Sequence, residues 1–296
     1  MTKIGVVGTA GGWSSEMLAD AAADRTGHRL LIGMGGVGLD LESGKATFDG
    51  VDLSELDALI IKKVGSRYSP DLMDRLEMLR FLNARGLPMF SKPDRIMGLL
   101  DRLSCTITLR LGGIPMPPTT ITESVDKALN AVEAYGEAVF KPLYTSKARG
   151  MKVVRPGPSA RDEIEAYKAG NTILYIQKRI DLPGQDLGVV FLGGEYLTTY
   201  ARHNEASVAN GDAWNTTTRS GGKYKPYDPP PEIIALARRA QDLFGLDFTC
   251  VDVVETAEGP MVFEVSAFGG FRGIQTVSDI DPAGRYVDYV LERIGS

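Results

Sequence analysis

Two cysteines and two histidines in 296 residues leave little material for metal or thiol chemistry. His28 and His203 lack the close spacing of a zinc-binding pair. Cys105 and Cys250 sit in apolar patterns, which suit reduced, buried thiols of a cytoplasmic protein better than a disulfide framework. No apolar run reaches the roughly 18 residues that span a bilayer, and Met1-Thr-Lys-Ile leads straight into a strand rather than a signal peptide; no membrane partner is expected. Basic charge is not in excess either. Lys and Arg number 33 against 38 Asp and Glu, and the net charge of −5 offers no general attraction to nucleic acid. No Ser/His/Asp or Cys/His arrangement marks a covalent nucleophile, and repeats and low-complexity segments are absent. What remains is the composition of a soluble globular protein, 43% hydrophobic and 24% charged, long enough for two or three domains.

Strands alternate with helices over roughly the first 90 residues, the pattern of an open α/β sheet. Strands are expected at 3–8, 28–32, 57–61 and 87–90, with helices at 13–25, capped by Ser14 or Ser15, and at 70–85. A helix over 93–111 ends at Gly112-Gly-Ile-Pro-Met-Pro-Pro118, which reads as a subdomain boundary. Beyond it the pattern is α+β. Strands are expected at 137–141, 151–154 and 172–180, a hairpin turns at Gly193-Gly194, and helices fall at 124–135, 161–169, 232–244 and 282–294.

The most informative stretch lies near the C-terminus. Phe248-Thr-Cys-Val-Asp252-Val-Val-Glu255 and Pro260-Met-Val-Phe-Glu264-Val-Ser266 read as two strands joined by a turn. A hairpin folding about Glu258 places Asp252 opposite Glu264, with Ser266 on the same face and Val251, Val253, Phe263 and Val265 buried on the other. Like charges directly opposite repel, and a hard divalent cation such as Mg²⁺ turns that repulsion into attraction. A polar, solvated sheet face is the alternative.

Two glycine-rich stretches point elsewhere. Gly33-Met-Gly35-Gly-Val-Gly38 matches G-x-G-x-x-G, but no convincing helix follows to face a pyrophosphate, so it is read as a turn rather than a dehydrogenase fingerprint. Gly38 to Lys45 misses a P-loop by one residue, and Ala46 stands where a metal-binding hydroxyl belongs.

Other features accumulate in order. Lys141 ends an apolar strand before a polar loop containing Ser146, Lys147, Arg149 and Gly150, where a cation could meet a phosphate. The strand Leu174-Tyr-Ile-Gln177-Lys178-Arg179-Ile180 runs into Asp181-Leu-Pro-Gly184 and can serve as a hinge, with Asp186 just beyond. Arg202 ends a later strand, and Trp214-Asn-Thr-Thr-Thr-Arg219-Ser-Gly-Gly222 is rich in hydroxyls and glycine. In Phe268-Gly269-Gly270-Phe-Arg272, the glycines would let backbone N–H groups approach an anion. Lys62 and Lys63 follow a strand and are read as solvated.

From about residue 90 to 280 this ordered set resembles the ATP-grasp superfamily, specifically its RimK-like amino-acid ligase branch. Asp101-Arg102 with Gly113-Ile-Pro-Met-Pro-Pro-Thr119 resembles D-K…G-I-P-x-P-x-T, Val139-Phe-Lys141-Pro142 the phosphate lysine, and Gln177-Lys178-Arg179-Ile180 the Q-E-x-I adenine hinge. Gly184-Gln-Asp186 resembles G-x-D, the 214–222 loop W-x-x-N…G-G, and Asp252 with Glu264-Val-Ser266 the D…E-x-N metal ligands. Arg102, Lys178, Gly188, Thr217 and Ser266 depart from the branch pattern, which places the chain in an outlying group such as the GAK-system ATP-grasp proteins.

The resemblance implies an ATP-grasp fold: a Rossmann-like pre-ATP-grasp domain (1–90), a linker helix and small subdomain (91–181), and a large subdomain with the metal site (182–296). It implies an ADP-forming carboxylate–amine ligase acting through an acylphosphate. A small-molecule kinase or a nucleotide-binding module without turnover are the alternatives. ATP would contact Arg102, Lys141, Ser146, Gly150, Gln177, Lys178, Arg179, Ile180 and Asp186. Asp252, Glu264 and Ser266 would hold Mg²⁺ or Mn²⁺, and Arg202, Arg272, Gly269 and Gly270 would stabilise the tetrahedral intermediate. Expected partners are a small-molecule acid and amine, or a protein acceptor, in a cytoplasmic homodimer or homotetramer.

Overall fold

A computed structural model describes residues 1–146, 148–182, 184–204 and 221–295. The chain opens with β1 (Ile4–Val7), α1 (Trp13–Thr26) and β2 (Leu31–Ile32). A small meander of β3 (Gly38–Asp40), β4 (Lys45–Phe48) and β5 (Val51–Asp52) follows, then β6 (Ala58–Ile61), α2 (Asp71–Ala84) and β7 (Met89–Phe90). Strands β2-β1-β6-β7 form a parallel sheet in that order. Every residue of β1 and β6 is buried, as a sheet covered on both faces requires. The G-x-G-x-x-G stretch forms a single 3₁₀ turn (Met34–Gly36) leading into β3, so no helix N-terminus stands there.

Helix α1 ends at Gly27, whose φ of 71° is costly for any residue with a Cβ. Its start corrects the expected serine cap. Gly12 is the N-cap and makes no side-chain cap bond, whereas the Ser15 hydroxyl accepts from the Thr9 amide (3.2 Å) and folds the β1–α1 turn back on itself. The helix expected over 93–111 is two, α3 (Pro93–Met97) and α4 (Arg102–Leu111). Asp101 makes the break, because its carboxylate satisfies the Ser104 amide (2.8 Å) better as an N-cap than it could inside a helix.

Next come β8 (Thr119–Thr122), α5 (Val125–Tyr135), β9 (Ala138–Phe140), β10 (Lys152–Val154), α6 (Ala160–Lys168) and β11 (Leu174–Lys178). Their strands form an antiparallel sheet ordered β10-β9-β11-β8. A second antiparallel sheet, β14-β13-β12-β15-β16, is built from β12 (Gln185–Leu192), β13 (Glu195–His203), β14 (Lys223–Pro226), β15 (Phe248–Thr256) and β16 (Gly259–Ser266). Helix α7 (Pro231–Asp242) packs on it, and α8 (Arg272–Val277) and α9 (Pro282–Ile294) close the chain. The sequence pattern shows only a turn where α8 forms. No helix among the described residues is long and apolar enough to cross a membrane.

The apolar cores divide unevenly. Two of them join the parallel sheet to the five-stranded sheet: Ile4, Val6 and Ile60 share one cluster with Phe248, Phe271 and Tyr286, while Leu59 and Leu76 share another with Val189 and Val251. The four-stranded antiparallel sheet and helices α5 and α6 bury a separate core around Phe140, Ile164 and Ile176.

The β15–β16 hairpin has the expected register, with Asp252 opposite Glu264 and Cys250 opposite Ser266. One detail differs. A bulge follows Asp252, so Val253 faces Val262 and Phe263 is the extra residue. Val262 is fully buried in the place expected for Phe263, whose ring turns instead toward the cleft.

Candidate active site

A cavity of about 640 Å³ opens where the three main sheets converge. One end belongs to β9, β11 and the loop after β9. Lys141 leaves the end of β9 and donates from Nζ to Gln177 Oε1 (2.5 Å), with the Phe263 ring 5.1 Å away. Burial, reinforced by the neighbouring Arg102, pulls its ammonium down to about 7. Gln177 is buried and held in turn by Thr119 Oγ1 (3.1 Å) and Tyr175 Oη (3.3 Å). Ser146, Lys178 and Ile180 complete this wall.

Two expected nucleotide contacts lie off it. Arg179 alternates away from the cavity along the strand, and its guanidinium pairs with Glu137. Gly150, at φ 69°, is a turn residue behind the wall. The hinge backbone is also partly committed, since the Lys178 and Arg179 amides donate to the Pro118 (2.8 Å) and Glu137 (2.9 Å) carbonyls. Lys147 and residues 205–220, with Trp214, Thr217 and Arg219, lie outside the described residues.

The centre of the cavity is the carboxylate pair. Each member faces an arginine: Arg102 Nη1 meets Glu264 Oε2 (3.0 Å), and Arg202 Nη2 meets Asp252 Oδ1 (2.9 Å). Arg202 also clamps Asp186, with Nε 3.1 Å from Oδ1. Burial pushes the Asp252 carboxyl upward, and the nearby Asp186 and Glu264 carboxylates add to the shift against the pull of Arg202. Ser266 shares the cavity wall. Among the described residues no group of three or more His, Cys, Asp or Glu forms a metal cage. Two carboxylates and a hydroxyl on the cavity wall nevertheless suit a hard divalent ion that takes its remaining oxygens from a bound phosphate. Arg202 is therefore locked between two carboxylates rather than free to meet an oxyanion, and Asp186 serves that arginine rather than standing open for a ribose.

The far end is the carboxyl edge of the parallel sheet, where ligands of α/β sheets commonly bind. The turn from Thr9 to Ser15 follows β1, and Lys62 and Lys63 follow the adjacent β6. Arg272, at the start of α8, stacks over Trp13 (5.1 Å), and Gly270 lies beside it in the wall. Gly269 sits behind, its carbonyl accepting from Lys62 Nζ. Contrary to expectation Lys62 is buried, 4% exposed, with its ammonium over the Phe271 (3.7 Å) and Phe248 (5.1 Å) rings. A charged residue directly abutting a fully buried parallel strand was the available signal.

Tyr200 is a wall residue with no sequence signal. A Cβ on Gly188 would lie 2.4 Å from its ring, and one on Gly273 2.6 Å. The phenol fills the space any side chain at 188 would claim, which accounts for the glycine there.

The RimK-like ATP-grasp domain model matches residues 100–290. A tetrahydromethanopterin:alpha-L-glutamate ligase of Methanosarcina acetivorans is 27% identical over 268 residues, covering 81% of this chain and 80% of the relative. Among solved structures, the ATP-grasp ligase PsnB, complexed with a precursor variant, Mg and ADP, superposes with a TM-score of 0.76 at 16% identity over 99% of both chains. A RimK domain ATP-grasp protein from Sphaerobacter thermophilus gives 0.72 at 21% identity over 97% of this chain and 99% of its own. These structural likenesses establish the ATP-grasp fold.

Proposed function

The chain belongs to the RimK-like ATP-grasp family, and from that premise we propose how its cleft works. It is an ATP-dependent carboxylate–amine ligase that forms an amide or peptide bond through an acylphosphate, releasing ADP and phosphate. The observation that carries this reading is a single cavity holding a half-buried lysine at one end, facing carboxylates in the middle and a further chamber beyond. Adenine would lie at the hinge between Lys178 and Ile180, and Lys141 and Arg102 would neutralise phosphate charge, with Ser146 closing over them. Asp252, Glu264 and Ser266 would hold Mg²⁺, or Mn²⁺ with the same oxygen preference; the ion supplies charge neutralisation on the phosphates.

The substrate carboxylate attacks the γ-phosphorus and ADP leaves. An amine then attacks the acyl carbon and phosphate leaves. Arg272 and the Gly270 backbone face the chamber where that negative charge develops. Arg202 acts by holding Asp252 and Asp186 in place. The three segments 1–90, 91–181 and 182–296 are taken as the domains that meet at the cleft, in a cytoplasmic homodimer or homotetramer. The acid and amine are small molecules, or the acid is carried on a peptide or protein.

Purified protein with Mg²⁺, ATP, an acid and an amine is expected to release ADP and phosphate with an amide product. AMP as the nucleotide product, or a stable phosphoester in place of the amide, refutes the reading.

A further inference from the structure

We propose that Lys62 is the proton acceptor for the attacking amine, a role that rests on the ligase reading above. An amine enters solution chemistry near neutral pH as an ammonium ion and cannot attack an acyl carbon until it loses a proton. The chamber beyond the carboxylates must therefore supply a base.

The wall offers few. Asp252 and Asp186 are bound to Arg202, and Glu264 to Arg102. Burial pushes the Tyr68 and Tyr200 phenols and the Cys250 thiol upward, so all three stay protonated. Neither His28 nor His203 lines the cavity. Lys141 stands at the nucleotide end, bonded to Gln177.

Lys62 is placed differently. It follows the carboxyl end of β6 and lines the same cavity as Gly270 and Arg272, bonded to the carbonyl of Gly269, the residue before Gly270 in the glycine-rich tail. Its Nζ rests on the Phe271 and Phe248 faces and donates to the Gly269 carbonyl, and no carboxylate is ion-paired with it among the described residues. Burial, then the adjacent Lys63, lowers its ammonium to about 7. A neutral amine is thus available near physiological pH, on a carbonyl hydrogen bond and two ring faces that stabilise the cation once formed.

In the step, Lys62 Nζ takes one proton from the substrate ammonium. The freed lone pair forms the C–N bond to give a tetrahedral intermediate, whose collapse breaks the acyl C–O bond to phosphate. The second nitrogen proton leaves with the departing phosphate. General-base assistance of this kind contributes about 10²–10⁴-fold.

Hydroxylamine separates this role from a structural one, because it is largely unprotonated near pH 7 and needs no base. Wild type is incubated with Mg²⁺, ATP, hydroxylamine and, in turn as the carboxylate, each of the twenty amino acids, a panel of other small carboxylic acids and a panel of peptides with free C-terminal and side-chain carboxylates. Hydroxamate with ADP identifies an activated acid; none from any of them overturns the ligase reading and this proposal with it. With that acid, Lys62→Met is expected to keep hydroxamate formation within about threefold, while amide formation with an amino-acid amine falls about a hundredfold or more. That loss should recover about tenfold per pH unit as alkaline buffer supplies free amine. Lys62→Arg, a cation that cannot act as a base, should match Lys62→Met. Parallel loss of hydroxamate and amide in Lys62→Met, or retention of amide formation, overturns the proposal while leaving the ligase reading intact.

Discussion

Nucleotide binding should draw a proton into this protein, and Lys141 is the group that takes it up. In the free cleft its half-buried ammonium lies beside Arg102 and titrates at about 7. Roughly nine in ten of these side chains are then neutral one pH unit higher, from the ordinary titration relation. A phosphate placed against Nζ favours the charged form and raises the value in the complex. The complex therefore binds more protons than the free protein, and affinity falls as pH rises past about 7. The slope approaches tenfold per unit, about 1.4 kcal/mol, until the raised value of the complex is passed. Below about 6 both states are protonated and the dependence vanishes. Calorimetric titration of a non-hydrolysable ATP analogue with Mg²⁺, in buffers of different ionisation enthalpy, reads the uptake directly. It should be near one proton at pH 8 and near zero at pH 6. Lys141→Met should abolish the uptake and weaken binding at pH 6 by roughly tenfold to a hundredfold, the worth of a charge-assisted hydrogen bond. Equal proton uptake in Lys141→Met, or none in wild type at pH 8, would sink the argument.

Glu264→Gln keeps the shape that faces Arg102 but removes a metal-binding charge; turnover should fall about a hundredfold or more while the circular dichroism spectrum is unchanged. Undiminished activity would remove Glu264 from the metal site. Arg202→Met strands two half-buried to buried carboxylates, Asp186 and Asp252, and should cost about 3–5 kcal/mol in urea unfolding. The native state would then hold a proton that the unfolded chain does not, so part of the loss should return as pH falls toward 5; a pH-independent deficit would contradict the pairing. Gly188→Ala drives a methyl group into the Tyr200 ring and should destabilise by about 1–3 kcal/mol, with a smaller loss in a Tyr200→Leu background.

Much of the site was legible because strand alternation is strict. Placing Asp252 opposite Glu264 needed only two apolar strands and a turn, and Lys141 announced itself at the end of an apolar run. The bulge after Asp252 was not legible, since Val262 and Phe263 are both apolar and either could fill the core. The break before α4 turned on one side chain, Asp101, choosing a cap over a helical turn. Arg179 and Lys62 were misplaced for a shared reason. The strand pattern shows that a charged residue lies next to buried neighbours, but whether it turns to water, to a carboxylate such as Glu137 or to aromatic faces such as Phe248 and Phe271 depends on elements far away in sequence. Tyr200 left no mark at all, because its place is defined by what Gly188 and Gly273 omit.

The division of the apolar cores sets what can move. The parallel sheet and the five-stranded sheet share common clusters, so Lys62, Asp252 and Glu264 ride on one block, while Arg102 stands at the seam, its helix packed on that block through Cys105 and Leu109 and its amide bonded to the Leu143 carbonyl (3.2 Å). Lys141 and Gln177 ride on the other, whose core is its own. Opening the cleft by swinging that smaller block carries the phosphate lysine and the adenine hinge away as a pair and leaves the carboxylates and the acceptor chamber undisturbed. A spent nucleotide can therefore be released along a seam that never crosses the chamber, and a long acceptor chain could stay seated while one nucleotide replaces another.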